Sequence, residues 1–518
     1  MLIKLVGENT WLYPDEAPAQ RGLDGVYLAR GGHAGIQIYT DAQGGAARLE
    51  AFLPNGVSAR WYQMRPVLVD RNSAPATLTT LNYDEVKHFV TRRAPFEVYD
   101  EMEEIPDPAH AALEEGRTVL FVRLGAESGA EPVCGTARFR LDVGGQAASA
   151  EIPLRVTGAR VPPARESGFS VNNWLDYNEI AARCHAGPGS ERYNELLDAY
   201  LRSLLELRCN HLKLPSGVPV RDGNGTVTDF DFTACEAVAR RALALGFRYV
   251  CGGFVARFKV WNEPEHYLLW DRGVDAASME GYRQLKLYFT RLWSVVTANG
   301  WQEQWMQCLV DEPQFANSMG YRALSGICRK CMPGVVINDP VETTDVQGAV
   351  DIWCVKQAVF DQYRDAYKAL QLMGEHLTVY TCGFPAGKWM NRATDLPLLV
   401  GRLPFWRCAA EGLEGFLHWG YNSYGGADPW LHNCYPCDGG NAMPPGNGFI
   451  VYPGENGPLY TLRAQVQLFG AEDAELLRQL PPERRQALCG RLCSSFEAYD
   501  ASEEHFAEAH RLLLTAFD

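Results

Sequence analysis

The chain has 518 residues, 47% of them hydrophobic and 21% charged. That length calls for two or three domains with a sizeable core. A formal net charge of -15 with no basic run argues against nucleic acid or an anionic membrane surface as partner. No stretch approaches a membrane span, and Met1-Leu2-Ile3-Lys4-Leu5-Val6-Gly7-Glu8 is too short an apolar stretch for a secretory leader, so a cytoplasmic location is expected.

In chain order, residues 1–160 read as all-β. Phe139, Leu141 and Val143 alternate with Arg138, Arg140 and Asp142, and Ile152, Leu154 and Val156 repeat that period of two. Gly44-Gly45 and Gly144-Gly145 mark turns, and a β-sandwich is expected. Val161-Pro162-Pro163-Ala164-Arg165 reads as a linker.

Strands and helices then alternate. Apolar runs predict strands at 168–173, 210–215, 247–252, 304–311, 335–339, 350–355, 376–382 and 415–422. Helical spacing fills most of the gaps, at 191–208, 232–246, 278–299, 317–331, 357–373, 396–411 and 459–480. In the first of these, Leu197, Tyr200, Leu201, Leu204 and Leu205 form one apolar stripe after Ser190, a cap residue. Eight strands in this rhythm predict a (β/α)8 TIM-like barrel over 165–480, with a helical extension at 481–518. The fold class is thus multidomain, all-β followed by α/β.

The fifteen cysteines are an odd count and read as free, mostly buried thiols. The pairs Cys328/Cys331 and Cys434/Cys437 have zinc-ligand spacing, but Cys328 and Cys331 share one face of an amphipathic helix, which favours core packing. No metal or cofactor is expected.

Barrel chemistry sits at the C-terminal ends of the strands. The fourth predicted strand ends in Asp311-Glu312-Pro313. Two adjacent acids after an apolar run are costly unless they are well solvated or do chemistry. They read either as a solvated pair before a helix-opening proline or as a catalytic pair. Neighbours on a strand point to opposite sides, so these two cannot oppose each other across a substrate as nucleophile and acid. They can stand at one edge of a sugar that supplies its own nucleophile. Other strand ends carry amides and aromatics suited to a sugar: Asn173, Trp353, Tyr380, His418, Trp419, Tyr421 and Asn422 are candidate substrate contacts.

Asn262-Glu263-Pro264 resembles the acid/base motif of retaining barrel glycosidases. Those enzymes need a second carboxylate about 5 Å away, usually on the seventh strand. Here the C-terminal ends of the seventh and eighth strands carry none. A 2-acetamido sugar removes the need: its carbonyl oxygen attacks C1 and forms an oxazoline. Two alternatives stay open. One is a glycosidase for a sugar without the acetamido group, pairing Glu312 with a loop acid such as Glu263 or Asp428. The other is a non-catalytic carbohydrate-binding protein.

Six stretches taken in order carry a family resemblance: Cys308-Leu309-Val310-Asp311-Glu312-Pro313, Val350-Asp351-Ile352-Trp353, Tyr380-Thr381-Cys382-Gly383-Phe384-Pro385, 396–402, 415–422 and 448–454. The chain resembles glycoside hydrolase family 123 from about residue 165 to 480. The resemblance implies a β-N-acetylgalactosaminidase that works by substrate-assisted catalysis. It implies Asp311 as the residue orienting the acetamido group and Glu312 as acid/base. It also makes Tyr380, Trp353, Trp419 and Tyr421 candidates for the acetamido pocket and ring platform. A small oligosaccharide or glycoside is the expected substrate.

Overall fold

A computed structural model describes residues 1–18, 23–183, 185 and 187–518. The chain forms two compact units. The first gathers Met1–Pro163, Cys382–Gly412 and Gly420–Asp518; the second is Ala164–Thr381 with Leu413–Trp419.

The first unit is built on two sheets. One orders Ile3–Gly7, His33–Thr40, Val119–Ala126, Val57–Val69, Phe96–Ile105, Gly457–Thr461 and Tyr452–Gly454, all neighbours antiparallel. The other orders Val26–Arg30, Gln146–Arg160, Val133–Val143, Gly45–Phe52 and Ala111–Leu113, with its first pair parallel. Period-two patterning explains their faces: Phe139 and Leu141 are buried while Arg138 and Arg140 are exposed. Ile36, Ile38 and Val122 of the first sheet join Leu28, Phe139 and Leu154 of the second in one apolar cluster.

The boundaries expected from the sequence need correction here. A barrel running unbroken to residue 480 does not form one compact unit, because two later segments are tied to the N-terminal strands. Trp11 Nε1 donates to Leu396 O at 2.8 Å, Ser73 Oγ to Asp395 Oδ1 at 2.8 Å, and Arg463 Nε to Asp100 Oδ2 at 2.8 Å. The helix expected from 459 starts at Leu462, since Gly457–Thr461 pairs as a strand and Thr461 Oγ1 caps Ala464 N–H at 3.0 Å. That helix, Leu462–Gln479, is almost wholly buried, and its Asp473 takes a bidentate grip from Arg402 at 2.6 and 3.0 Å. Burial alone would raise the Asp473 carboxyl, but Arg402 and His510 hold it well below the usual range. The C-terminal extension carries two α-helices, Pro482–Cys489 and Glu503–Leu514, and ends in a 3-10 turn at Thr515–Phe517.

The second unit is the barrel. Its strands are β1 (Ser170–Asn173), β2 (His211–Lys213), β3 (Tyr249–Gly252), β4 (Trp305–Gln307), β5 (Val336–Val341), β6 (Ile352–Lys356), β7 (His376–Thr381) and β8 (Gly415–His418). They run parallel in the order β1-β8-β7-β6-β5-β4-β3-β2. The seam between β1 and β2 is spanned by Asn210, whose N–H donates to Val171 O at 3.2 Å and whose Oδ1 accepts from Val171 N–H at 3.1 Å. The barrel is nearly closed, as eight strands with helical connections require. The helix Glu191–Glu206 follows β1, capped by Ser190 Oγ on Tyr193 N–H, with Leu197, Tyr200, Leu201 and Leu204 buried.

Alternation sorts each strand into inward and outward residues. Ser170 and Asn172, Ile352 and Cys354, and His376 and Thr378 line a cavity of about 460 Å³ at the N-terminal end of the barrel. The next residues on those inward faces of β6 and β7 are Lys356 and Tyr380.

Among the described residues every cysteine is a free thiol, and no group of three or more His, Cys, Asp or Glu could hold a metal ion. Among them, no helix is long and apolar enough to cross a membrane.

Candidate active site

The β4 ladder ends at Gln307, four residues short of the acids; the predicted strand 304–311 was too long. Beyond it Cys308 N–H still bonds Gly252 O at 3.1 Å and Val310 makes a single bridge to Ala256. Buried Asp339 of β5 anchors this stretch, accepting Leu309 N–H at 3.0 Å and the Tyr321 hydroxyl at 2.8 Å. The chain then turns sharply. Glu312 has φ +50°, the left-handed region, which costs a side-chain-bearing residue ~1–2 kcal/mol. Strand alternation therefore does not govern how the two acids are disposed. The turn is held by Glu342 N–H donating to Pro313 O at 3.0 Å.

Glu312 is 9% exposed. The Tyr380 hydroxyl donates to its Oε1, and Lys356 Nζ lies 3.5 Å from the same oxygen. Burial pushes the Glu312 carboxyl up to about 8; Lys356 and Tyr380 pull it down, while Asp311 and Glu342 add to the rise. Asp311 is also raised, chiefly by burial, against the pull of Lys213 and Lys356. Lys213 ends β2 with its ammonium 3.6 Å from the Trp174 ring centroid and 3.4 Å from that of Phe254. Burial lowers its pKa, and Cys308 and Asp311 among its neighbours oppose that. Burial thus favours the protonated form of Glu312, which is set beside a second carboxyl and two ammonium groups.

Of the residues expected from sequence, Tyr380 reaches the pair directly. His418 ends β8 buried, and Trp419 follows it partly exposed. Three corrections follow from strand parity and burial. Trp353 faces out of β6: it is fully buried, donates from Nε1 to Glu375 at 2.9 Å and packs edge-on against Tyr367. Asn173 lies on the opposite face of β1 from Asn172, with Nδ2 donating to Cys209 Sγ at 3.1 Å. Tyr421 and Asn422 have no exposed surface and belong to the first unit, where Tyr421 O accepts from Ile450 N–H and Asn422 bridges Phe449. Glu263 is exposed, and its backbone oxygen accepts from Asn317 Nδ2 at 3.4 Å.

Sequence reasoning missed Lys213, Glu342 and Lys356. Their signal was the one that revealed Asp311: a charge closing or interrupting an apolar run, as in Leu212-Lys213-Leu214, Val341-Glu342 and Cys354-Val355-Lys356.

The sequence profile of glycoside hydrolase 123, catalytic domain, matches residues 220–480. The chain belongs to glycoside hydrolase family 123. It is a glycoside hydrolase, and the acid pair falls inside the matched region. No curated protein matches its sequence. Among solved structures, a family 123 glycoside hydrolase from Clostridium perfringens, studied for glycolipid glycan hydrolysis, superposes with a TM-score of 0.74 at 13% identity, over 99% of this chain and 97% of that one. A family 5 mannosidase from Rhizomucor miehei has a TM-score of 0.35 at 12% identity, over 62% of this chain and 94% of the other. An endo-β-1,4-mannanase from Thermotoga petrophila has a TM-score of 0.35 at 14% identity, over 61% and 78%.

Proposed function

We propose that this glycoside hydrolase is an exo-acting, retaining β-N-acetylhexosaminidase, acting on N-acetylgalactosamine at the end of a small oligosaccharide or glycoside. The observation that carries the reading is the placement of Glu312, a buried carboxyl next to Asp311 that accepts from the Tyr380 hydroxyl, while β7 and β8 end in Tyr380-Thr381 and Leu417-His418 with no carboxylate. The substrate then supplies the nucleophile. Its acetamido oxygen bonds to C1 as the bond from C1 to the leaving oxygen breaks, and the Glu312 proton passes to that oxygen. Asp311 accepts the acetamido N–H and so directs the carbonyl at C1. Glu312, now a carboxylate, takes a proton from the water that opens the oxazoline, so the product keeps the β configuration. Tyr380 orients Glu312. The Clostridium perfringens protein, studied for glycolipid glycan hydrolysis, supports a glycan as substrate. We also read the two sheets of the first unit, which share one apolar cluster, as a β-sandwich.

A second reading has one observation in its favour: Glu342 is a third carboxylate at the same end of the barrel, on the same lysine as Glu312. A glycosidase for sugars without the acetamido group could use it. Chromogenic β-N-acetylgalactosaminide, β-N-acetylglucosaminide and β-galactoside separate the two. Release from the first, less from the second and none from the third is expected. A β-galactoside cleaved as fast as the N-acetylgalactosaminide would rule the proposal out.

A further inference from the structure

Lys356 closes β6 with its ammonium between two carboxylates. Nζ lies 3.5 Å from Oε1 of Glu312 and closer still to Oε1 of Glu342. Glu342 directly follows β5 and is fixed independently. Its second oxygen accepts from Gln314 Nε2 at 2.9 Å, and its own N–H donates to Pro313 O at 3.0 Å. Both anchors lie within two residues of Glu312, so the pair is fastened to the very turn that presents Glu312. The side chains of Glu312, Glu342 and Lys356 are only 11%, 13% and 13% exposed, so water screens these charges weakly.

We infer that Glu342 and Lys356 are the positioning pair of Glu312: Glu342 holds the ammonium back while Glu312 carries its proton, and Lys356 stabilises the carboxylate left once that proton has gone to the leaving oxygen. This rests on the reading of Glu312 as proton donor. The titratable groups around Glu312 come from five directions: Asp311 beside it, Glu342 after β5, Lys356 on β6, the neutral Tyr380 hydroxyl on β7, and Lys213 on β2 through Asp311. With the proton on Glu312, two carboxylates balance two ammonium groups. When the proton leaves, one negative charge is uncompensated, and Lys356 is the ammonium already beside it.

The test uses two substitutions of similar size, Glu342→Gln and Lys356→Met, in the full chain. The protonated-carboxyl infrared band of Glu312 is titrated, with Glu312→Gln as the blank. Glu342→Gln gives the whole ammonium to Glu312 and should move the midpoint down by about one unit or more; Lys356→Met should move it up by a similar amount. The alkaline limb of kcat/KM should follow in each variant. Midpoints that stay put, or that move the same way in both variants, overturn the inference. The titration needs no substrate. Opposed shifts in a protein inactive on acetamido sugars would therefore uphold the pair and sink the functional proposal, and the two failures remain distinct.

Discussion

Glu312→Gln should lower kcat/KM by roughly a thousandfold on a β-N-acetylgalactosaminide with an alkyl leaving group, the scale of a lost general acid. On an aryl glycoside the loss should be much smaller, because a good leaving group departs with little protonation. Asp311→Asn should behave differently. Its proposed role is to hold the acetamido group in line, which every such substrate needs, so the loss should be similar for both leaving groups. Comparing the two variants across the two glycosides therefore reads the roles separately. Equal sensitivity to the leaving group in both variants would contradict the division of labour. The same Glu312→Gln variant should also be more stable than the parent at pH 8. Folding raises this carboxyl from its ordinary value near 4.5 to about 8, so between those values the folded chain keeps a proton that the unfolded chain releases. Stability must then fall as pH rises through that window, and Gln removes the slope. Thermal unfolding at pH 5 and pH 8 measures it: the gap between parent and variant should be wide at pH 8 and narrow at pH 5.

The second large effect is on the pH profile. A proton donor near 8 gives kcat/KM an alkaline limb near pH 8, falling about tenfold per unit above it. The acid limb reports loss of the carboxylate proposed at Asp311, and it should lie above the ordinary range for an aspartate because burial raises that carboxyl. The two acids titrate together, so the limbs describe the pair. Glu312→Gln should abolish the alkaline limb on the aryl glycoside. An alkaline limb near pH 5 would mean that Glu312 is solvated in solution and does not keep its proton to neutral pH.

The strands of the barrel were legible because each is an apolar run closed by polar residues, and the acid pair stood out because it closes the apolar run that continues past β4. The orientation of side chains was not. In a parallel strand buried on both sides, Ile352-Trp353-Cys354-Val355 is apolar throughout, so nothing in it says that Lys356 faces inward and Trp353 outward. Asn173 failed for the same reason beside Asn172. The unit boundaries were hidden for another. Residues 382–412 and 420–480 look like ordinary barrel connections, and only ties across hundreds of residues, such as Trp11 to Leu396 and Asp100 to Arg463, place them with the N-terminal sheets. The strain at Glu312 was invisible too, since φ +50° at a glutamate is set by what grips it: Tyr380, Lys356 and the Glu342–Pro313 hydrogen bond.

Substrate participation is the claim on which the rest depends, and a series of aryl β-N-acetylgalactosaminides with zero to three fluorines on the acetyl methyl tests it most directly. Fluorine withdraws electron density from the carbonyl oxygen that would attack C1. The account predicts that kcat/KM falls steeply with each added fluorine. A rate indifferent to fluorination would contradict it and assign the nucleophile to the protein.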